Sequence, residues 1–118
     1  MKIVQGFTFE AAHRLPNVPS THRCHRMHGH SYRVELTLQG PVDPVTGFVV
    51  DFFDVEAAFE PVLRQLDHHT LNEVKDLENP TAELISIWIW DRLKPSLGNL
   101  TQVKVFETPF CWAEYDGS

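Results

Sequence analysis

An α+β fold, with an antiparallel sheet covered on one face by two helices, is what this sequence predicts. Three patterns carry that expectation. Apolar residues alternate with polar ones near both ends of the chain, the period of a half-buried strand. Two stretches between them repeat their apolar residues with helical spacing. The order is strand, strand, strand, helix, helix, strand, strand, which suits an antiparallel sheet with its helices on one side.

The first strand is read from Ile3, Phe7, Phe9 and Ala11 in odd register, against Lys2, Thr8 and Glu10 in even register. A loop follows at Leu15 to Ser20. The second strand spans about His28 to Gln39, with Tyr32, Val34, Leu36 and Leu38 on one face and Arg33, Glu35, Thr37 and Gln39 on the other. Gly40 to Gly47 is dense in Gly, Pro and Asp and reads as a turn, and Phe48 to Phe52 as a short returning strand.

Asp54 is the expected N-cap of the first helix, since a carboxylate accepts the orphan amide hydrogens of a first turn. Val55, Ala58, Phe59, Val62, Leu63 and Leu66 then form its apolar stripe, and Pro61 within it predicts a kink or a shifted start. The second helix is expected from Asn79-Pro80, with Asn as cap and Pro at the first helical position, to Lys94 before Pro95. Its middle, Leu84 to Trp90, is apolar nearly all round, which predicts burial on more than one side. Val103 and Val105, then Phe110 and Trp112, mark the closing strands of a four-stranded sheet. Its polar face should be wet. Its edges need protection in so small a unit, so sheets joined edge to edge in an oligomer are expected.

The 118 residues suit one domain, 1–118. A formal charge of −6 leaves no basic footprint for nucleic acid, and no apolar run approaches a membrane span. No signal-peptide pattern opens the chain, and two cysteines make no disulfide framework, so a cytoplasmic, reducing location is expected.

Seven histidines are many for this length, and their placement is informative. His28 and His30 flank Gly29 in the register of Tyr32, so both rings face one side. His13 ends the first strand in the register of Phe9 and Ala11. If the two strands pair as a hairpin, three imidazoles converge at a sheet end, a donor set that suits Zn²⁺. Cys24 could close the set as a fourth, structural ligand, or the fourth position could stay open for catalysis; spacing leaves both standing.

Cys24 lies among Arg23, Arg26, His22 and His25, and surrounding cations suit a reactive thiolate. Cys111, between Phe110 and Trp112, reads instead as buried and inert. Asp67 beside His68 could orient a proton-transferring imidazole, or the pair could simply end a helix. Glu107 shares the register of Val103 and Val105, so its carboxylate needs a partner, either a ligand with N–H donors or an arginine.

Phe9-Glu10-Ala11-Ala12-His13, Cys24-x-x-x-His28-Gly29-His30, Leu66-Asp67-His68, Asn79-Pro80-Thr81-Ala82-Glu83 and Glu107-Thr108 together resemble the 6-pyruvoyl-tetrahydropterin synthase family. The spacing from Cys24 to His28 is like that family's 6-carboxy-tetrahydropterin-forming branch, which serves queuosine biosynthesis. The resemblance covers essentially the whole chain. It implies a tunnelling fold, in which the sheets of three subunits close a barrel and two such rings stack into a hexamer. It also implies zinc at His13, His28 and His30 with an open position, Cys24, Asp67 and His68 as the catalytic set, Glu107 as pterin anchor and Thr81 in the pterin pocket. The implied substrate is 7,8-dihydroneopterin triphosphate, converted to 6-carboxy-5,6,7,8-tetrahydropterin with loss of acetaldehyde and triphosphate. The alternatives are 6-pyruvoyl-tetrahydropterin formation without side-chain cleavage, and a non-catalytic zinc-stabilised binding module. His25 departs from the family pattern, where a glycine is common; with Arg23 and Arg26 it is a candidate for contact with the triphosphate.

Overall fold

The computed structural model describes residues 1–118. Strand β1 (Lys2–His13) runs antiparallel to β2 (His28–Gln39), which pairs with β4 (Leu100–Thr108), which pairs with β5 (Cys111–Tyr115). Helix α1 (Phe52–Leu66) and helix α2 (Ala82–Leu93) intervene between β2 and β4. A further strand, β3 (His69–Thr70), lies parallel to Ala11–Ala12, so the sheet order is β3-β1-β2-β4-β5. The fold is α+β with five strands where four were expected. The addition is small and has a local cause. After α1, His68 adopts a left-handed backbone (φ 60) and its N–H donates to the Glu10 carbonyl at 2.6 Å, which lays the next residues along β1.

The alternation of the strands decides which side chains are inside. Tyr32, Val34, Leu36 and Leu38 of β2 are wholly buried, as are Val103 and Val105 of β4, while Arg33 of the opposite register is exposed. Against this face α1 places Val55, Phe59, Val62 and Leu66, and α2 places Ile85, Trp88, Ile89 and Leu93. Phe59 stacks on Phe7 with ring centroids 4.2 Å apart. Each such large apolar side chain contributes about 1.5–3 kcal/mol by leaving water. No helix is long and apolar enough to cross a membrane.

Three boundaries differ from the sequence expectation. Phe48–Phe52 is not a strand: Phe52 already belongs to α1, and the preceding turn is closed by Asp43 Oδ1, which accepts from the Val45 and Thr46 N–H groups. The N-cap of α1 is Asp51, not Asp54; Asp51 Oδ1 accepts from Phe53 N–H at 2.9 Å. Pro61 lies inside α1, which continues to Leu66. The cap of α2 is Thr81 rather than Asn79, so the helix starts at Ala82. The last shift bears directly on the histidines.

These caps give a first prediction. Asp51→Ala should cost about 1 kcal/mol of stability through the lost cap, whereas Asp54→Ala, which touches only the helix dipole, should cost a few tenths. Equal urea midpoints for the two variants would contradict the assignment.

Candidate metal centre and its surroundings

The antiparallel register sets His13 opposite His28 and Ala11 opposite His30. All three imidazoles therefore project from the helix-facing side at one end of the β1–β2 ladder. One potential ligand atom from each lies within 4.8 Å of the others, and no cysteine belongs to the group. His13 is fully buried, while His28 and His30 are half-buried.

Hydrogen bonds fix which nitrogens are free. His13 Nδ1 donates to the Pro80 carbonyl at 2.8 Å, and the buried Tyr32 hydroxyl lies 3.1 Å from the same nitrogen. His28 Nδ1 donates to the Arg26 carbonyl at 2.7 Å. Both rings thus present bare Nε2 lone pairs, and these face each other at 3.0 Å. Two acceptors at that distance repel unless a cation lies between them. The edge of a tetrahedral zinc site is about 3.3 Å for Zn–N bonds of ~2.0–2.1 Å, close to the observed separation. His30 Nε2 is buried with no hydrogen-bond partner. Residues in this state fit a metal ion.

Thr81 makes the Pro80 contact available. In a helix starting at Pro80, the Leu84 N–H would bond to the Pro80 carbonyl. Instead Leu84 N–H donates to Thr81 Oγ1 at 3.1 Å, and the Pro80 carbonyl is left for His13.

Electrostatics agree with neutral, ligand-ready rings at His13 and His30. Burial first, then the neighbouring His28 and His30, pull His13 down to about 4, even though its bond to Pro80 opposes the shift. Burial also lowers His30, against the pull of Glu107. The Tyr32 phenol is pushed up, by burial first and then by Glu107, so it stays protonated beside His13. Glu107 Oε2 stands 3.3 Å from His30 Nε2 and 3.5 Å from His13 Nε2. The carboxylate in the apolar register therefore faces the imidazoles rather than an arginine.

Two adjoining cavities surround this end of the sheet. One, of about 400 Å³, is lined by Arg23, Cys24, His28, His30, Glu107, Thr108 and Cys111. The other, of about 420 Å³, is lined by Ala82, Glu83, Glu107, Cys111, Trp112, Ala113 and Glu114. Glu107 and Cys111 belong to both. Cys24 thus shares a cavity with two of the histidines and with Glu107. Thr81 does not line either cavity; its hydroxyl oxygen is the helix cap. Cys111, read from sequence as buried and inert, is exposed and lines the site. It is the first residue of an edge strand, where an apolar neighbourhood in sequence does not bring burial.

Asp67 and His68 are paired, with Oδ1 and Nδ1 3.0 Å apart. Asp67 Oδ1 also accepts the Glu10 N–H at 2.9 Å, the largest cause holding its carboxyl below the usual range, with His68 second. His68 lines a third cavity, of about 510 Å³, together with Glu10 and Ser31, residues of the outward-facing register. That cavity also reaches His30, but it contains neither Cys24 nor Glu107. Within one chain the pair and the thiol do not meet. Ser31, whose hydroxyl donates to Glu10 Oε2 at 2.7 Å, and Tyr32 and Pro80 were all missed in the sequence. Only Tyr32 left a signal there, a polar tip in a core register.

With this geometry in hand, the match to known proteins is decisive. The model of the family described as 6-pyruvoyl tetrahydropterin synthase matches residues 2–118. The chain belongs to that family. It is 37% identical to a 6-carboxy-5,6,7,8-tetrahydropterin synthase of Synechocystis, covering 96% of this chain and 91% of that protein. It is 36% identical to the 6-pyruvoyl tetrahydrobiopterin synthase of Drosophila melanogaster, over 93% of this chain and 76% of that one. Among solved structures, the 6-pyruvoyl tetrahydropterin synthase of Caenorhabditis elegans superposes with a TM-score of 0.91 at 29% identity, covering 100% of this chain and 96% of that chain. The single-chain unit of the tunnelling fold expected from sequence, a sheet with two helices on one face, is the fold found.

Two predictions follow from the site's geometry. The folded His13 ring binds its proton only near pH 4, the unfolded one near 6.5, so the unfolded chain holds more protons between those values. This contribution to the stability of metal-free protein is complete above about 6.5 and is lost as pH falls through about 4. Urea midpoints should drop across that window, and His13→Gln should flatten the fall. Separately, Thr81→Ala frees the Leu84 N–H to compete for the Pro80 carbonyl. Zinc affinity, measured by chelator competition, should weaken ~10–100-fold, the usual effect of losing an outer-shell partner, while Thr81→Ser should retain it.

Proposed function

We propose that this chain is a zinc-dependent 6-carboxy-5,6,7,8-tetrahydropterin synthase acting on 7,8-dihydroneopterin triphosphate, with release of acetaldehyde and triphosphate. The observation that carries the reading is the single cavity shared by Cys24, His28, His30 and Glu107. It joins a thiol to an incomplete three-histidine metal set. The 37% identity with the Synechocystis enzyme supports the carboxy product. The 36% identity with the Drosophila enzyme keeps 6-pyruvoyl-tetrahydropterin formation as the second reading.

In this reading His13, His28 and His30 hold zinc and leave a position open. The bound ion would act as a Lewis acid on an oxygen of the substrate side chain. Cys24, as thiolate, takes a proton from that side chain. Glu107 accepts paired hydrogen bonds from the N3–H and 2-amino group of the pterin, and the adjoining cavity at Ala82 and Glu83 receives the ring, with Thr81 framing it as the helix cap. Arg23, beside Cys24, is placed to meet the triphosphate. His68, oriented by Asp67, returns a proton to the ring.

His68 opens to a different cavity from Cys24, so we assign it to the site of a neighbouring copy. That assignment accords with a homohexamer built as a dimer of trimers, its sheets joined at their edges. A cytoplasmic location follows from two free thiols and the place of the product in queuosine biosynthesis. Nucleic acid and membrane have no role in this reading.

The test is incubation of the zinc-loaded protein with 7,8-dihydroneopterin triphosphate. Acetaldehyde release with the 6-carboxy product is expected; the pyruvoyl product without acetaldehyde would select the second reading. Cys24→Ala should abolish turnover and keep stoichiometric zinc. If that variant loses its zinc, Cys24 is a structural ligand and the mechanism falls.

A further inference from the structure

The only two cysteines in the chain, Cys24 and Cys111, line the same cavity. Both are free thiols, contributed by separate elements. Cys24 lies in a single 3₁₀ turn, Arg23–His25, none of whose residues is buried. Cys111 opens β5 just beyond the exposed hairpin tip at Phe110. At that tip the Phe110 N–H donates to Thr108 Oγ1 at 3.2 Å, and the same oxygen lies within hydrogen-bond distance of Cys111 Sγ at 3.0 Å. The contact holds the Cys111 thiol beside Thr108, which lines the same cavity. Neither thiol belongs to the three-histidine ligand group, so both are available for sulfur chemistry.

We propose that Cys24 and Cys111 form a reversible intramolecular disulfide, made under peroxide, that closes the cavity over His28, His30 and Glu107. The Cys24 thiolate attacks the O–O bond of hydrogen peroxide, becoming a sulfenic acid as hydroxide leaves and is protonated to water. The Cys111 thiolate then attacks that sulfur, forming the S–S bond and expelling a second water once its hydroxyl is protonated. In sum, two thiols lose two electrons and two protons, and one peroxide becomes two waters. A disulfide needs Cα atoms about 4.4–6.8 Å apart. Forming the bond brings the 3₁₀ turn and the hairpin tip, both superficial, to that separation. Cys111 acts in this scheme as a resolving thiol: it diverts the sulfenic acid of Cys24 from irreversible over-oxidation.

The link between closure and turnover rests on the function proposed above; the disulfide itself does not. The experiment treats the zinc-loaded full chain with graded hydrogen peroxide, blocks remaining thiols and maps peptides without reduction. Both thiols should disappear together, with a loss of two hydrogens and no added oxygen, in a peptide joining Cys24 to Cys111 within one chain. Dithiothreitol should reverse it. Closure is read as a severalfold slowing of zinc removal by a chelator, a measurement that requires no substrate. In Cys111→Ser, Cys24 should instead gain oxygen, and dithiothreitol should recover much less of that variant's own untreated turnover. Added oxygen on wild-type Cys24 without a linked peptide would overturn the proposal. So would a bridge between chains, or an unchanged chelation rate. Absence of turnover before oxidation, with the linked peptide present, would sink the proposed activity and leave the disulfide standing.

Discussion

The bond from His13 Nδ1 to the Pro80 carbonyl is the constraint around which the candidate site is organised. It joins the end of β1 to the residue before the Thr81 cap of α2, spanning 67 positions in sequence. It fixes the tautomer of a fully buried ring, and so decides that Nε2 faces His28 and His30 bare. It exists because the carbonyl it uses has been released from the helix. Thr81 Oγ1 takes the amide hydrogen that would otherwise claim Pro80. A cap that looks purely local therefore works at a distance: it sets where α2 begins, and the start of α2 sets the direction of an imidazole.

The same constraint explains how charge is distributed. A buried imidazole beside two others cannot hold a proton at neutral pH, because burial and neighbouring rings both oppose it. The three ring nitrogens and the Glu107 carboxylate, half-buried at 3.3–3.5 Å from two of the rings, converge on one small region. Tyr32 remains a neutral phenol there, so it adds hydrogen-bonding capacity without adding charge. The arrangement is unfavourable by itself and favourable around a divalent ion. A bound metal ion would couple to the local fold through that difference.

Much of this was legible in the sequence, and the exceptions share a cause. The period-two alternation fixed the inner face of β2 correctly, and it put His13, His28 and His30 on one side before any pairing was known. The apolar stripe of α1 was equally clear. The starts of both helices were not. The expected caps were Asp54 and Asn79 and the observed ones are Asp51 and Thr81, because the choice depends on which carbonyls and amides are needed elsewhere in the fold. The contact of Pro80 with His13 was not legible, because a backbone carbonyl leaves no trace in residue identity. Cys111 was misjudged because its apolar neighbours Phe110 and Trp112 lie at the sheet edge and are themselves exposed. Proximity in sequence to hydrophobic residues is not burial.

The separation of Asp67–His68 from Cys24 follows from the alternation that made the histidines legible. Along β1, His13 and Ala11 face the helices while Glu10 faces outward, and it is the backbone of Glu10 that receives Asp67 and His68. β1 thus receives the proposed acid–base pair at its outer side and carries His13 at its inner side. His30 reaches the cavity that His68 lines, but Cys24 and Glu107 open to a different one. In the proposed reading, a complete set of catalytic groups around one substrate would draw Asp67 and His68 from a second copy. The outer edge of β1 is paired only at Ala11–Ala12, and β5 is unpaired along its outer side, so the sheet retains free edges where such a copy could dock. In this view oligomerisation protects the edges and completes the chemistry through one set of contacts.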